Sequence, residues 1–217
     1  STQMNEDNRP IACEGLQEQY GQYDAYFIAP NEKKVYLTFD EGYENGYTDD
    51  ILDVLKEKDV SAVFFVTGGY VRQNPELIQR MIDEGHVVGS HSDQHLNFPE
   101  ATAEEGAEDI KTLHNLVKEQ FGYEMEYFRF PEGVFSEQNL EMLQSLGYTS
   151  LFWSYAYADW DPNNQMDPNT AYAKVTAALH PGAIYLLHAV SATNAQILGD
   201  FIDYVRAQGY EISPMDL

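Results

Sequence analysis

Positive charge is scarce in this sequence: 12 lysines and arginines stand against 36 acidic side chains, a formal charge of −24 over 217 residues. Nucleic acid and anionic membrane surfaces both require a basic footprint, so the balance excludes them as partners. Cysteine is scarcer still. The single Cys13 rules out an intrachain disulfide framework and any cysteine-rich zinc module, and it reads as an incidental small residue in a polar stretch. No run approaches the ~18 consecutive apolar residues of a membrane-spanning helix. Neither type of glycine-rich nucleotide-phosphate loop is present. The chain opens at Ser1 without an initiator methionine or a signal peptide, a beginning shared by processed exported proteins and trimmed chains.

What is present points to a packed core, because 43% of residues are hydrophobic and 13% aromatic. Residues 1–25 are polar and without clear period, and read as a leader lying on or near a domain formed by residues 26–217. From there strand-like and helix-like segments alternate. Strands are predicted at Val35–Asp40, Ala62–Thr67, His86–Ser90, Tyr127–Phe130, Thr149–Tyr155 and Ile184–His188, with a short one at Tyr210–Ile212. Helices are predicted at Thr48–Lys58, from Pro75 to Gly85, from a Thr102 cap to Gln120, and at Ser136–Leu146, Asn169–Leu179 and Ala195–Ala207. Such alternation implies one α/β domain with a mainly parallel sheet and right-handed crossovers. The absent phosphate loop favours a barrel of about seven units over an open doubly wound sheet.

In a barrel the chemistry sits at the C-terminal ends of the strands. Asp40 and Glu41 end the first strand before Gly42, either as a solvated acidic turn or as two carboxylates brought to one mouth. His91 and His95 follow the third, a spacing of four that suits one divalent metal if the segment turns helically. Arg129 precedes Pro131-Glu132-Gly133 and is either a structural ion-pair partner or the group that orients a catalytic Asp. Asp159-Trp160 and Leu186-Leu187-His188 complete the series, while His86, His114 and His180 fall where structural roles suffice. One shared rim explains this distribution more simply than independent accidents.

The ordered set Thr38-Phe39-Asp40-Glu41-Gly42, His91-Ser92-Asp93-Gln94-His95, Arg129-Phe130-Pro131-Glu132-Gly133, Asp159-Trp160 and Leu186-Leu187-His188 resembles the polysaccharide deacetylases. This carbohydrate esterase family includes nodulation-type chitooligosaccharide and peptidoglycan deacetylases. The resemblance runs from about Lys34 to the C-terminus. Within it, Leu37–Thr48, Val134–Glu137 and Leu187–Ser191 are most similar to the muramic-acid (δ-lactam-forming) de-N-acetylases of spore-forming bacteria.

The resemblance implies a distorted (β/α) barrel and metal-dependent removal of an N-acetyl group from a cell-wall polysaccharide outside the cytoplasm. Peptidoglycan muramic acid is the first candidate substrate. Asp40 would be general base, His188 general acid, Arg129 the orienter of Asp40, and Asp159 the partner that tunes His188. His91 and His95 would hold one divalent ion, zinc foremost, with Glu41 as third ligand where the wider family has aspartate. Tyr43, Glu132, Gly133 and Trp160 would contact substrate. Glu132 replaces a common tyrosine and Ala156 a common aspartate. N-acetylglucosamine polymers, a small amide, and carbohydrate binding without turnover are the alternatives.

Overall fold

Lys34–Glu41 (β2) is apolar or small at most positions and buried along almost its whole length, as a central strand covered on both faces must be. In the computed structural model, which describes residues 2–217, it pairs in parallel with Val63–Val66 (β3) on one side and Ala183–His188 (β7) on the other. Val87–Ser90 (β4), Tyr127–Phe128 (β5), Thr149–Leu151 (β6) and Ala25–Tyr26 (β1) extend the sheet beyond β3, and Glu211–Ile212 (β8) joins the start of β2. All pairings are parallel, in the order β1-β6-β5-β4-β3-β2-β7.

The sheet curls, and its open side is closed by irregular chain. Beyond β6, Ser154 N–H donates to the Ile184 carbonyl at 2.9 Å and Tyr155 accepts from Leu186 N–H at 2.9 Å. Beyond β1, Ala29 N–H donates to the Gly182 carbonyl at 2.9 Å. This is the expected distorted barrel. The expected strands at 127–130 and 149–155 are shorter than read, because the chain leaves the ladder to make this closure.

Helices Thr48–Glu57 (α2), Gly68–Gln73 (α3), Pro75–Asp83 (α4), Ala103–Phe121 (α5), Glu137–Ser145 (α6), Pro168–Ala177 (α7) and Ala192–Ala207 (α8) fill the crossovers. Their ends obey local chemistry. Thr102 accepts from Glu105 N–H, Pro75 opens α4, and Gly122, at φ 65°, stops α5. Of these seven, only α3 was not foreseen. No helix is long and apolar enough to cross a membrane among the described residues.

Side chains alternate across each strand, so the core has two parts. Tyr36, Val63, Phe65, Leu151 and Ile184 point into the barrel, while Leu37, Phe39, Phe64, Val66, Tyr185 and Leu187 face the helices. Met215 and Leu217 pack at the N-terminal end of the interior, where Tyr36 Oη donates to Asp216 at 2.6 Å and Tyr127 Oη to the Leu217 carbonyl at 2.8 Å. The free end of the barrel is therefore the C-terminal one.

Residues 2–25, read from the sequence as a polar leader on or near the domain, contain a helix. Ile11–Tyr20 (α1) lies on the barrel wall, with Gln17 bonding Ala25 and Phe27 and the buried Arg9 guanidinium donating to the carbonyls of Ala29 and Pro181.

Candidate active site

Asp40 and His188 are register partners on β2 and β7, and both have the parity of the barrel interior. They line one pocket of about 160 Å³ with Gly42, Tyr43, His91, His95, Trp160 and Val190. Tyr43 is 49% and Trp160 63% exposed, so two large aromatic faces stand free at the rim. The sequence-predicted residues Glu132 and Gly133 lie instead in an adjoining cleft with Phe135, Trp153 and Tyr155.

Each of the two facing groups is backed by a partner. Arg129, fully buried, donates to Asp40 Oδ1 at 3.0 Å and to Thr38 Oγ1 at 2.7 Å. Burial pushes the Asp40 carboxyl up, but His91, the Arg129 guanidinium and His188 outweigh it and hold the group below the ordinary carboxylate range. Asp159 accepts from His188 Nδ1 at 2.7 Å and from the His188 backbone N–H at 2.8 Å. Burial pushes the His188 imidazole down, and the Asp159 hydrogen bond and charge, helped by Asp40, reverse this and leave it raised. The site thus contains a carboxylate that favours ionisation opposite an imidazole that favours its proton.

Thr38 and Asn194 were not foreseen. Thr38 lies two residues before Asp40, hence on the same face, a parity signal present in the sequence. Asn194 Nδ2 donates to Asp159 at 2.7 Å from the first turn of α8, a long-range contact with no sequence signature.

His91 and His95 come together with ring centroids 5.1 Å apart. Donation from His91 Nδ1 to the Arg129 carbonyl at 2.8 Å leaves the Nε2 lone pair facing the pocket, 3.7 Å from Asp40 Oδ2. Burial, only partly opposed by Asp40, holds this imidazole below its ordinary value. His91 and His95 are both imidazoles of the type that ligates a divalent ion, and both line the one pocket.

The expected third ligand does not join it. β2 continues as regular strand through Glu41, which pairs with Val66 and so points to the helix face. There it accepts from Thr48 Oγ1 at 3.0 Å, beside Tyr70 and Glu44. Among the described residues, no three histidine, cysteine or acidic side chains gather closely enough to hold an ion.

Glu41 has a different consequence. Burial pushes its carboxyl up to about 8; the Tyr70 and Thr48 hydroxyls oppose the rise, and the charges of Glu44 and Asp40 add to it. The folded chain then keeps a proton that the unfolded chain releases near the ordinary 4.5, so stability falls as pH rises from there through about 8. The span is on the order of a few kcal/mol. Glu41→Gln, which has no proton to lose, should flatten that slope in urea-unfolding midpoints measured from acid to alkaline pH. Parallel curves for the two proteins would remove Glu41 as the titrating group.

A carboxylate beside an imidazole, two further imidazoles and exposed aromatic faces thus stand together at the mouth of a parallel barrel. The chain belongs to the polysaccharide deacetylase family, whose model matches residues 28–151, and is thus a hydrolase of acetylated polysaccharide. It is 44% identical over 209 residues to the peptidoglycan-N-acetylmuramic acid deacetylase PdaA of Bacillus subtilis, covering 95% of this chain and 80% of that protein. The solved structure of Bacillus subtilis PdaA, a family 4 carbohydrate esterase, superposes with a TM-score of 0.92 at 42% identity over 99% of this chain and 92% of that one. A family 4 carbohydrate esterase from Bacillus anthracis superposes with a TM-score of 0.81 at 38% identity, covering 99% and 96%.

Proposed function

We propose that this protein removes the N-acetyl group of muramic acid residues in peptidoglycan, outside the cytoplasm, releasing acetate and leaving a free amine. The observation that carries the chemistry is the placement of Asp40 and His188 as register partners across one pocket, each held in its working protonation state by a buried partner of opposite charge. The substrate follows the similarity to PdaA.

An amide carbonyl is a weak electrophile, so its hydrolysis needs an activated water and a protonated leaving amine. Asp40 takes the proton of the attacking water. His188, oriented through Nδ1 by Asp159, gives a proton from Nε2 to the departing nitrogen. His91 and His95 would hold one divalent ion, zinc in our reading; such an ion, when bound, lowers the pKa of water and polarises the carbonyl. Tyr43 and Trp160 would stack on the sugar faces.

The test is acetate release from peptidoglycan stripped of stem peptides, from intact peptidoglycan, and from chitin oligomers, with added Zn²⁺, Mn²⁺, Mg²⁺ or chelator. Release from stripped glycan, with the new amine on muramic acid, is expected. Release mainly from chitin oligomers would move the substrate to N-acetylglucosamine and keep the mechanism. Folded protein that releases nothing would support carbohydrate binding without turnover.

A further inference from the structure

The turn that carries His91 and His95 is an improbable one for its residues. Ser92 and His95 both sit at positive φ, 71° and 52°, a region that side-chain-bearing residues occupy at a cost of ~1–3 kcal/mol each unless their surroundings hold them there. What holds them is the carboxylate of Asp109, on the buried face of α5. Its Oδ1 accepts from Ser92 Oγ at 2.7 Å and from the Asp93 N–H at 2.9 Å, and its Oδ2 accepts from the Gln94 N–H at 2.9 Å. Ser92 Oγ passes the hold onward by accepting from the Leu96 N–H at 3.1 Å. The 92–93 and 93–94 peptides before His95 are thereby held by Asp109 directly, and the 95–96 peptide after it through Ser92.

Asp109 is only 6% exposed, and no lysine or arginine pairs with it among the described residues. A buried carboxylate without a cation is costly, and three donors converging on it are what make it tolerable. An apolar residue at this point of the Gly106, Ile110, Leu113 and Val117 face would pack the helix equally well. The carboxylate is accounted for by the turn it organises and not by the core.

We propose that Asp109 is a positioning residue: by fixing residues 92–94 it brings the His91 and His95 rings to a common point and so sets the affinity of the pair for a divalent ion. The proposal rests on the metal reading of the two histidines given above, and goes beyond it by assigning the affinity to a side chain that touches neither ring.

Two readouts test it on the intact chain. Amide hydrogen exchange without metal should show faster exchange at Asp93 or Gln94 in Asp109→Asn, because the amide has one accepting oxygen where the carboxylate has two. Titration with Zn²⁺ alone should show affinity lowered ~10–100-fold, the range for residues that orient ligands from behind. Leu113→Ala, one turn along the same buried face, is the control for simple loosening of α5 and should leave Zn²⁺ affinity near that of the parent. Unchanged affinity in Asp109→Asn, or an equal loss in Leu113→Ala, would overturn the positioning role. Absence of Zn²⁺ uptake by the unsubstituted protein would overturn the metal reading of the histidine pair and this role with it, and is recognised before any substitution is made.

Discussion

Asp40→Asn should lower kcat/KM for acetate release by ~10²–10⁴-fold, the usual contribution of a general base. The substitution keeps shape and an acceptor for Arg129 but removes the carboxylate proposed to take the proton of an attacking water. The guanidinium retains Thr38 Oγ1 and the carbonyls of Leu151 and Phe152, so the fold should persist, and circular dichroism with a thermal scan checks that it does. The companion change His188→Ala should cost a similar factor. The pH profile separates the two roles. In the parent the acid limb should fall below the ordinary carboxylate 3.8 and the alkaline limb above the ordinary imidazole 6.5, because Asp40 is lowered and His188 raised. Asp40→Asn should abolish the acid limb and His188→Ala the alkaline one. Activity near the parent level in either variant would take that residue out of the mechanism.

Most of this site was legible because a strand has period two and a barrel collects its chemistry at one end. Asp40, His91, Arg129 and His188 could be placed at a common mouth from their positions at strand ends alone. Glu41 could not, because its face depends on where β2 stops. A strand ending at Asp40 would let a turn swing both carboxylates inward, whereas a strand continuing through Glu41 sends the second to the helices. Asp109 was hidden for the opposite reason. It occupies a core position of α5 among apolar residues, and only the folded chain shows which distant peptides it serves. The same holds for α1 and β1. The helix has no fully buried residue and hence a weak apolar stripe, and the two-residue strand exists only through its pairing with β6.

Arg129 should carry the largest single share of stability among the site residues, and Arg129→Met tests this at similar volume. Its side chain is wholly buried and donates to four acceptors: Nε to the Leu151 carbonyl at 2.9 Å, Nη1 to Thr38 at 2.7 Å and Asp40 at 3.0 Å, and Nη2 to the Phe152 carbonyl at 2.8 Å. Its guanidinium carbon lies 4.4 Å from the Phe65 ring centroid and 5.5 Å from that of Trp153. Methionine would fill the space and leave the Asp40 carboxylate buried without its cation. Breaking a buried ion pair from one side costs about 3–5 kcal/mol, and two carbonyls would lose donors as well. The expected result is an unfolding free energy, from urea titration, lowered by that amount. Arg129→Lys should recover little, because an ammonium with three donors cannot reproduce a planar fork spread over four acceptors. Catalysis should respond in a way that general loosening would not. With the guanidinium gone, Asp40 loses that charge and hydrogen bond and the carboxyl pKa rises, so the acid limb of kcat/KM should move to higher pH in whatever fraction remains folded. A loss below about 1 kcal/mol, the range of exposed ion pairs, would mean that Arg129 does not support the barrel, and an unmoved acid limb that it does not hold the base ionised.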